Sequence, residues 1–569
     1  MSKERVRKLI EMFQRMKGER SGFEDVWRQV ARFLSPSPEM FSGDAGRERD
    51  SNMMRRHMRD IDNTARRAVQ IFAAGMLSGV SPPADQWFQL AVADKDGGRE
   101  LSKYPPVARW LEKVEDIFRR DFHQKNFYAQ QDGSYRSLGL FGMQCMLVGE
   151  HDDIGAYYRD TPIDEVYISE DYTGRVNCVF REMLLTVQQA LELFGKDKLS
   201  PTLQRIAEGK NPDIAQRVSI VHAVIPKAPG YENIMGGNKL PYASYYFEPG
   251  EEHLIQESGY NEMPYVVTRA YSFGRSPYSI SPGTLALADV KMVNELKMLL
   301  LEAGQLRVAP PLLAPDNGLV NKRINYAPYA VNTYRKTSTV SANDFAPLRI
   351  GEDPSFGLEL FSMSKQDVNE AFFVDLFMFI QNRTQMGRGT PTAEEIRQLS
   401  AEKSFLLGPI LVNQQQENFD NLFARIYAIK ARRGELPPPP EELAGVSVDI
   451  VYISPLVRAQ QEVKSNAIMR TFEEVGQVAQ IKPEVLDLFD FDQSVRLVAE
   501  QRGFPAACMR SDEEVQGMRE ARQQEAAQQQ QAAMEAQSAQ GMMGAYQTLS
   551  QAPQPGSPAE MLMSGIQGG

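Results

Sequence analysis

The stretch Gln385-Met-Gly-Arg-Gly-Thr-Pro-Thr-Ala-Glu-Glu395 has the residue types of a phosphate-cradling loop: two glycines, an arginine, hydroxyls and a helix start behind them. A nucleotide site needs successive backbone N–H groups around the phosphate, with a lysine and a hydroxyl to meet it. No GxxxxGKS or GxxxxGKT occurs in the chain, and Gly387-Arg-Gly389 lacks the third glycine and the preceding strand of a dinucleotide loop. Taken alone, the stretch reads as a flexible connection. A second chemistry, metal-dependent hydrolysis, would use paired carboxylates such as Asp152, Asp153, Asp164, Glu165, Glu170 and Asp171. These sit beside turns with no histidine or lysine at motif spacing, which favours a solvated surface over a two-metal nuclease. Five scattered histidines have no metal-ligand spacing, and Cys145, Cys178 and Cys508 form no CxxC, which suits a reducing compartment.

The elements that would position these residues are mainly helical. Ser21 and Glu24 make a capping box ahead of Phe23, Val26, Trp27, Val30 and Leu34, and Ser35-Pro36-Ser37-Pro38 ends that helix. Another helix is expected from Asp62 to Leu77, with Gly79 just past its end. Arg66 and Arg67 in it extend a basic cluster of Arg47, Arg49, Arg55, Arg56 and Arg59, which reads first as a solvated face. From Tyr157 to Phe273 short β-rich runs appear at 166–169, 175–183, 218–225, 243–247 and 265–271, and Thr186 with Gln189 caps a helix ending at Gly195.

Two long helices, 282–306 and 358–382, flank a proline-rich strand-and-turn insert, 307–357. The first carries Leu285, Ala288, Met292, Leu296, Leu299 and Ala303 on one side. The second includes FFVDLFMFI, residues 372–380, whose apolar width exceeds what one neighbour can cover. After the opening loop, Thr392 and Glu395 cap a helix that Gly408-Pro409 should kink before it resumes to Arg433-Gly434. One strand is expected at 446–454. Ser511 and Glu514 cap a polar Gln/Ala/Glu helix that needs partners to be stable, and 541–569 reads as a disordered tail.

At 569 residues the chain should divide into three or four parts. Its net charge of −11 is uneven: residues 1–70 hold 16 Lys and Arg against 11 Asp and Glu, a surplus of 5 that leaves −16 for the remainder. An acidic body is a poor high-affinity DNA clamp. No apolar run reaches the roughly 20 residues that span a bilayer, so a soluble protein without a membrane partner is expected.

Four separated blocks resemble, in order and spacing, the portal or head-to-tail connector proteins of short-tailed, podovirus-type bacteriophages. They are DNTARRAVQIFAAGMLSGVSPPADQWFQL (62–90), FGRSPYSISPGTLALADVKMVNELKMLLLEAGQLRVAPPLLAP (273–315), TPTAEEIRQLSAEKSFLLGPILVNQQQENFDNLFARIYAIKARRGELP (390–437) and YISPLVRAQ (452–460). The likeness covers roughly residues 1–505 and departs at TPTAEEI, where the family commonly has a threonine-alanine-threonine-glutamate run.

That resemblance implies a mainly helical α+β portal fold that assembles as a ring of twelve subunits at a capsid vertex of the virion. It implies a wing at 1–281, stem helices at 282–306 and 358–382, a clip at 307–357 and a tunnel loop at 383–391. A long kinked helix returning to the wing covers 392–456 and a helical crown 457–540. Stem packing falls to Leu285, Met292, Leu296, Leu299, Phe372, Phe373, Leu376 and Phe377, with the 372–380 face buried between subunits. Arg383, Gln385, Met386, Gly387, Arg388, Gly389 and Thr390 would face double-stranded DNA without sequence readout, the arginines touching phosphates or pairing with a stem helix. Tyr326, Tyr329, Tyr334 and Arg335 are either clip anchors for the packaging ATPase (terminase) and a tail adaptor or part of the clip's own core. Capsid and scaffold proteins complete the partners, with no cofactor, metal or catalysis. Another virion structural protein, internal or tail-tube, is the alternative reading.

Overall fold

The computed structural model describes residues 2–35, 40–41, 62–92, 104–208, 214–228, 231, 240–272, 274–315, 325–335, 346–347, 355–378, 406–443, 448–454, 482–501 and 512–550, with a few isolated positions besides. They fall into two compact units, Met1–Leu486 and Asp487–Gly569.

In the first unit, α1 (Ser2–Leu34) runs unbroken through the expected start at Ser21. Ser21 instead donates its hydroxyl to the Gly18 carbonyl, a bond made inside a helix rather than at its cap. The helix serves two cores: Val6, Leu9, Phe13 and Met16 are buried in one, and Trp27, Val30, Ala31 and Leu34 in the other. Next, α2 (Thr64–Val80) starts where the Asp62 carboxylate accepts the Thr64 amide at 2.7 Å, and passes through Gly79 to end at Val80.

The strand β1 (Phe88–Val92) and the helices α3 (Pro105–Gln124) and α4 (Phe127–Phe141) fill a stretch to which the sequence reading assigns no element. α4 ends at Gly142, whose φ of +79° favours glycine and whose missing Cβ leaves room for the Ile280 backbone. From that corner β2 (Met143–His151) leaves and pairs antiparallel with β3 (Gly155–Asp160). A five-stranded antiparallel sheet follows in sequential order: β4 (Val166–Glu170), β5 (Val176–Thr186), β6 (Arg217–Pro226), β7 (Tyr242–Glu248) and β8 (His253–Tyr260). Between β5 and β6 lie α5 (Val187–Phe194) and α6 (Pro201–Glu208). α5 has the predicted capping box, with Thr186 and Gln189 bonding each other's amides, and ends at Gly195. β9 (Tyr265–Arg269) then returns to β2, giving a second sheet in the order β3-β2-β9.

α7 (Pro282–Val308) leaves this body. Ser281 caps it by accepting the Thr284 amide at 2.7 Å while donating to the Leu140 carbonyl at 2.7 Å, and Gly283 lets the helix touch that carbonyl. A small sheet follows, in which β10 (Leu312–Pro315) pairs parallel with β11 (Val331–Tyr334) and antiparallel with β12 (Ala346–Pro347). α8 (Ser355–Ala371) then packs against α7. It does not continue to 382: Phe373 takes a left-handed φ of +56° and the chain restarts as α9 (Val374–Phe377). The break turns Phe372, Phe373 and Phe377 onto Phe72 of α2, with ring centroids 6.3 to 6.5 Å apart, and Gly75 leaves room for the Phe377 ring. Aromatic burial outweighs the cost of a left-handed non-glycine residue, on the order of 1–3 kcal/mol.

The predicted kink at Gly408-Pro409 is a restart. Leu407 interrupts the helix, α10 (Gly408–Asn413) begins with Pro409 in its first turn, a π-helical segment Gln414–Phe419 follows, and α11 (Asp420–Arg432) completes the rod. β13 (Val448–Tyr452) pairs antiparallel with β1. The main core closes where Trp87, Phe88, Phe118, Phe122 and Phe127 meet Phe419 and Phe423, so distant parts of the sequence share one aromatic cluster.

Glu115 of α3 accepts the outward Leu90 amide of β1 at 2.7 Å. Burial pushes its carboxyl up to about 7, against the opposing pull of that hydrogen bond. A folded value above the unfolded one means stability fully present below about pH 4.5 and lost as pH rises through 7. Glu115→Gln should therefore gain on the wild type by about 2–3 kcal/mol between pH 5 and 8, read as diverging denaturation midpoints. A constant difference across that window would contradict the assignment.

In the second unit, α12 (Phe491–Gln501) is capped by Asp490, which accepts the Gln493 amide at 2.9 Å, and α13 (Asp512–Ser550) is one long polar helix. It runs through 541–550, which composition alone had placed in a disordered tail.

Candidate functional site

The two-helix projection α7/α8 has two unlike faces. Gly283, Ala286, Leu287, Val290 and Val293 of α7 are buried, as are Ser364 and Val368 of α8. Val290, Val293 and Val368 close on Ala65 of α2, where Lys297 also pairs with the buried Asp62 at 3.0 Å. The face named from the sequence is the other one: Leu285 and Leu299 are 60% and 57% exposed, Met292 is exposed, and Leu296 is half-buried. Helical periodicity found an apolar stripe but not which of two stripes the chain itself covers, since a helix apolar on both sides gives no preferred direction. Met298, Leu301 and Val308 on α7, with Phe356, Leu358 and Met363 on α8, extend the open surface.

In the 372–380 segment the chain itself already covers part of the apolar face. Phe372 and Val374 belong to the chain's own core, beside α2, and Phe373, Leu376 and Phe377 lie half-buried against it. Residues 379 and 380 lie outside the described residues.

At the tip of the projection, Tyr326 and Tyr329 are exposed, Tyr334 is half-buried and Arg335 is exposed. Tyr329 has a φ of +58° in a turn fixed by Asn325 and Asn332, which exchange side-chain and backbone hydrogen bonds at 2.7 and 2.9 Å. Of the two readings for these tyrosines, the surface one fits Tyr326 and Tyr329. The loop residues Arg383, Gln385, Met386, Gly387, Arg388, Gly389 and Thr390, the Thr392/Glu395 cap and the cluster Arg47 to Arg59 lie outside the described residues.

Three of the six carboxylates considered for metal chemistry are engaged in structure. Glu165 pairs with Arg181 at 2.8 Å, Glu170 pairs with Arg269, and Asp171 accepts the Thr173 and Arg175 amides to build the β4–β5 turn. Asp152 and Asp153 are exposed on the β2–β3 turn, and the buried Asp164 carboxyl is pushed up to about 6 by burial. Among the described residues, no group of three His, Cys, Asp or Glu side chains is arranged to hold a metal. No helix among them is long and apolar enough to cross a membrane.

Sequence reasoning missed the paired cations of α11, of which Arg425 and Lys430 are buried and Arg432 is exposed. Arg425 pairs with Glu262 at 2.6 Å, Lys430 with Asp121 at 2.7 Å, and Arg432 with Glu262 and Glu150 at 2.9 and 3.1 Å. Arg425, Lys430 and Arg432, spaced through an apolar helix pattern, are the local signal, but nothing local shows which cation is buried. These bonds fix the return helix to β2, α3 and the β8–β9 turn.

The family model for the bacteriophage head to tail connecting protein matches residues 6–509. The portal protein of Salmonella phage epsilon15 is 32% identical over 559 residues, 97% of each chain. The probable portal protein of Bordetella phage BPP-1 is 30% identical over 507 residues, 88% of each. Among solved structures, a chain in the neck of a native gene transfer agent particle computed with C12 symmetry aligns over 81% of this chain and 97% of its own, at 10% identity and a TM-score of 0.35. A chain in the neck of an empty particle computed with C6 symmetry aligns over 76% and 92%, at 11% identity and 0.34. With a family match over most of its length and relatives of 30% identity or more aligned over 88 to 97% of it, the chain belongs to the bacteriophage head to tail connecting proteins.

Proposed function

We propose that this connector protein closes into a ring of twelve copies whose bore carries double-stranded DNA into the capsid during packaging and out of it during ejection. It is a structural portal protein of the virion, at the capsid vertex. The observation that carries the ring is the open apolar face of α7 and α8, where Leu285, Met292 and Leu299 face solvent along one side of a rod that packs well on the other. A monomer gains nothing from exposing such a stripe, whereas a ring subunit has two flanks to cover.

In this reading α7 and α8 form the stem, and residues 307–357 form the clip. Exposed Tyr326 and Tyr329 there are the aromatic anchors for the packaging ATPase and, later, a tail adaptor. Residues 383–391 form the tunnel loop, with Arg383 and Arg388 touching phosphates. A chain with an overall charge of −11 suits a conduit, because a strongly basic bore would hold DNA through many phosphate contacts and resist sliding. The long polar α13 is the crown, stabilised by its neighbours in the ring.

Native mass and negative-stain imaging of the purified chain test the ring, expected as a closed annulus with an axial hole. DNA retention tests the loop. Heads built with Arg388→Ala should assemble normally and retain a different length of DNA, because a loop tip adds little burial to the fold. Normal retention would remove the loop from the DNA path.

A further inference from the structure

β9 is an edge strand, and its outward backbone groups at Arg269 are taken by side chains rather than by another strand. Glu417 accepts the Arg269 amide at 2.9 Å, and Asn413 donates to the Arg269 and Ala270 carbonyls at 3.1 and 3.2 Å. Both come from the junction of α10 with the π-helical segment Gln414–Phe419. Beneath this junction lies a buried polar layer. Gln144 of β2 donates to the Gln414 side-chain carbonyl at 3.2 Å, and Asn418 donates to the same oxygen at 2.9 Å. Thr268 is the cross-strand partner of Gln144, so its side chain shares that face of the sheet.

All four side chains are at most 1% exposed. Four of their polar atoms nevertheless have no protein partner: Gln144 Oε1, Gln414 Nε2, Asn418 Oδ1 and Thr268 Oγ1. Leaving such an atom dry costs its full desolvation free energy, so four in one layer are incompatible with a dry core. They present donor and acceptor capacity together, which is what a buried water requires.

The two ends of this helix are held unequally. α11 is fixed by Arg425, Lys430 and Arg432 on three separate elements, whereas α10 and the π segment are held to the one edge of β9, by Asn413 and by Glu417, which also pairs with the Arg269 guanidinium. A π segment has one residue more per turn than its α-helical flanks require, and such segments can change register locally. We propose that Gln144, Thr268, Gln414 and Asn418 form an internal hydration site, and that the π segment above it is a joint at which α10 moves while α11 stays clamped. Water supplies alternative hydrogen-bond partners as the helix passes between registers, so the layer is polar where the aromatic cluster next to it is dry. The inference concerns the single chain and does not depend on the ring.

Hydrogen exchange on the full chain, read alongside a high-resolution experimental map, tests this. The expected map shows ordered water bonded to at least two of the four atoms. Amides of 411–419 should exchange at least about tenfold faster than those of 423–429, although both helices lie against the same core. Gln144→Met/Gln414→Leu/Asn418→Leu should remove the water and bring the two rates together. If that variant does not fold, Asn418→Leu alone should narrow the gap at least about threefold, since it deletes one water acceptor. A dry layer in the map, equal rates in the wild type, or an unchanged gap in the variant that folds would overturn the proposal.

Discussion

Lys430→Met should cost about 3–5 kcal/mol of stability, because it leaves the buried Asp121 carboxylate without the one of its two lysine partners that is itself buried. Both side chains are almost wholly buried, at 5% and 4% exposure, and the pair lies at 2.7 Å. Lys125 at 2.6 Å and the Tyr158 hydroxyl, which donates at 2.6 Å, remain, so the loss belongs at the lower end of that range. The denaturant midpoint is the measurement. Asp121→Leu combined with Lys430→Met should recover much of the loss, since an apolar pair removes the unpaired charge; a double variant as unstable as the single one would locate the cost in packing instead. Burial alone would raise the Asp121 carboxyl, but its hydrogen bonds from Lys125, Lys430 and Tyr158 prevail and hold it below the usual range. A depressed folded value contributes stability above the unfolded pKa of about 3.9 and loses it as pH falls further, so the wild type should lose this advantage over Lys430→Met only below pH 4.

Leu285→Asp and Leu299→Asp should abolish the ring while leaving a folded chain. Each leucine is more than half exposed in the single chain, so an aspartate there meets water and changes the chain's own stability little. In a ring the same carboxylate would be taken out of water at every subunit contact. That adds several kcal/mol to the lost leucine burial of roughly 2 kcal/mol, and each subunit bears it on two sides. Sedimentation should give monomers with a wild-type melting curve. Leu287→Asp is the contrast: Leu287 lies on the inward face and its substitution should lower the melting temperature itself. Rings of wild-type mass from both exposed-face variants would place the subunit contact elsewhere.

Much of the fold was legible where the signal was local. The Thr186/Gln189 cap, the Gly195 stop, the start of α7 near Pro282 and the strands β4 to β7 follow from residues within a few positions of one another. The Ser21/Glu24 box shows the limit: the same residues occur inside a helix when Trp27, Val30 and Phe13 give both halves of it a core to cover. Phe373 shows another limit. The pattern of 358–382 favours one continuous helix, and only the tertiary pull of Phe72 and Gly75 accounts for the left-handed break. β2, with four buried residues at its start, looks the same as a buried helix by periodicity.

For the candidate site, residue types pointed to apolar stripes but not to which of them the single chain covers. Leu285, Met292 and Leu299 were named for packing, and the chain leaves them open; Phe372 was named for a subunit contact, and the chain buries it alone. Apolarity records that a residue will be covered, but not by which copy. Glu417, Arg269 and Asp121 were not named at all, because a buried charge is recognised by its partner and the partners lie 148 and 309 positions away.

The base of the α7/α8 projection gives the protein a mechanical property. Ser281 and Gly283 of α7 meet the Leu140 carbonyl, while Ser279 and the Ala270 amide both bond the Gly142 carbonyl, so these contacts gather on the single corner between α4 and β2. A thrust along α7 reaches this corner with its bonds loaded side by side, and they must yield together rather than in succession. The corner's stiffness therefore comes from the number of parallel links rather than from the strength of any one, and strain from the rod is delivered into β2, the strand to which β3, β9 and the return helix are all fastened.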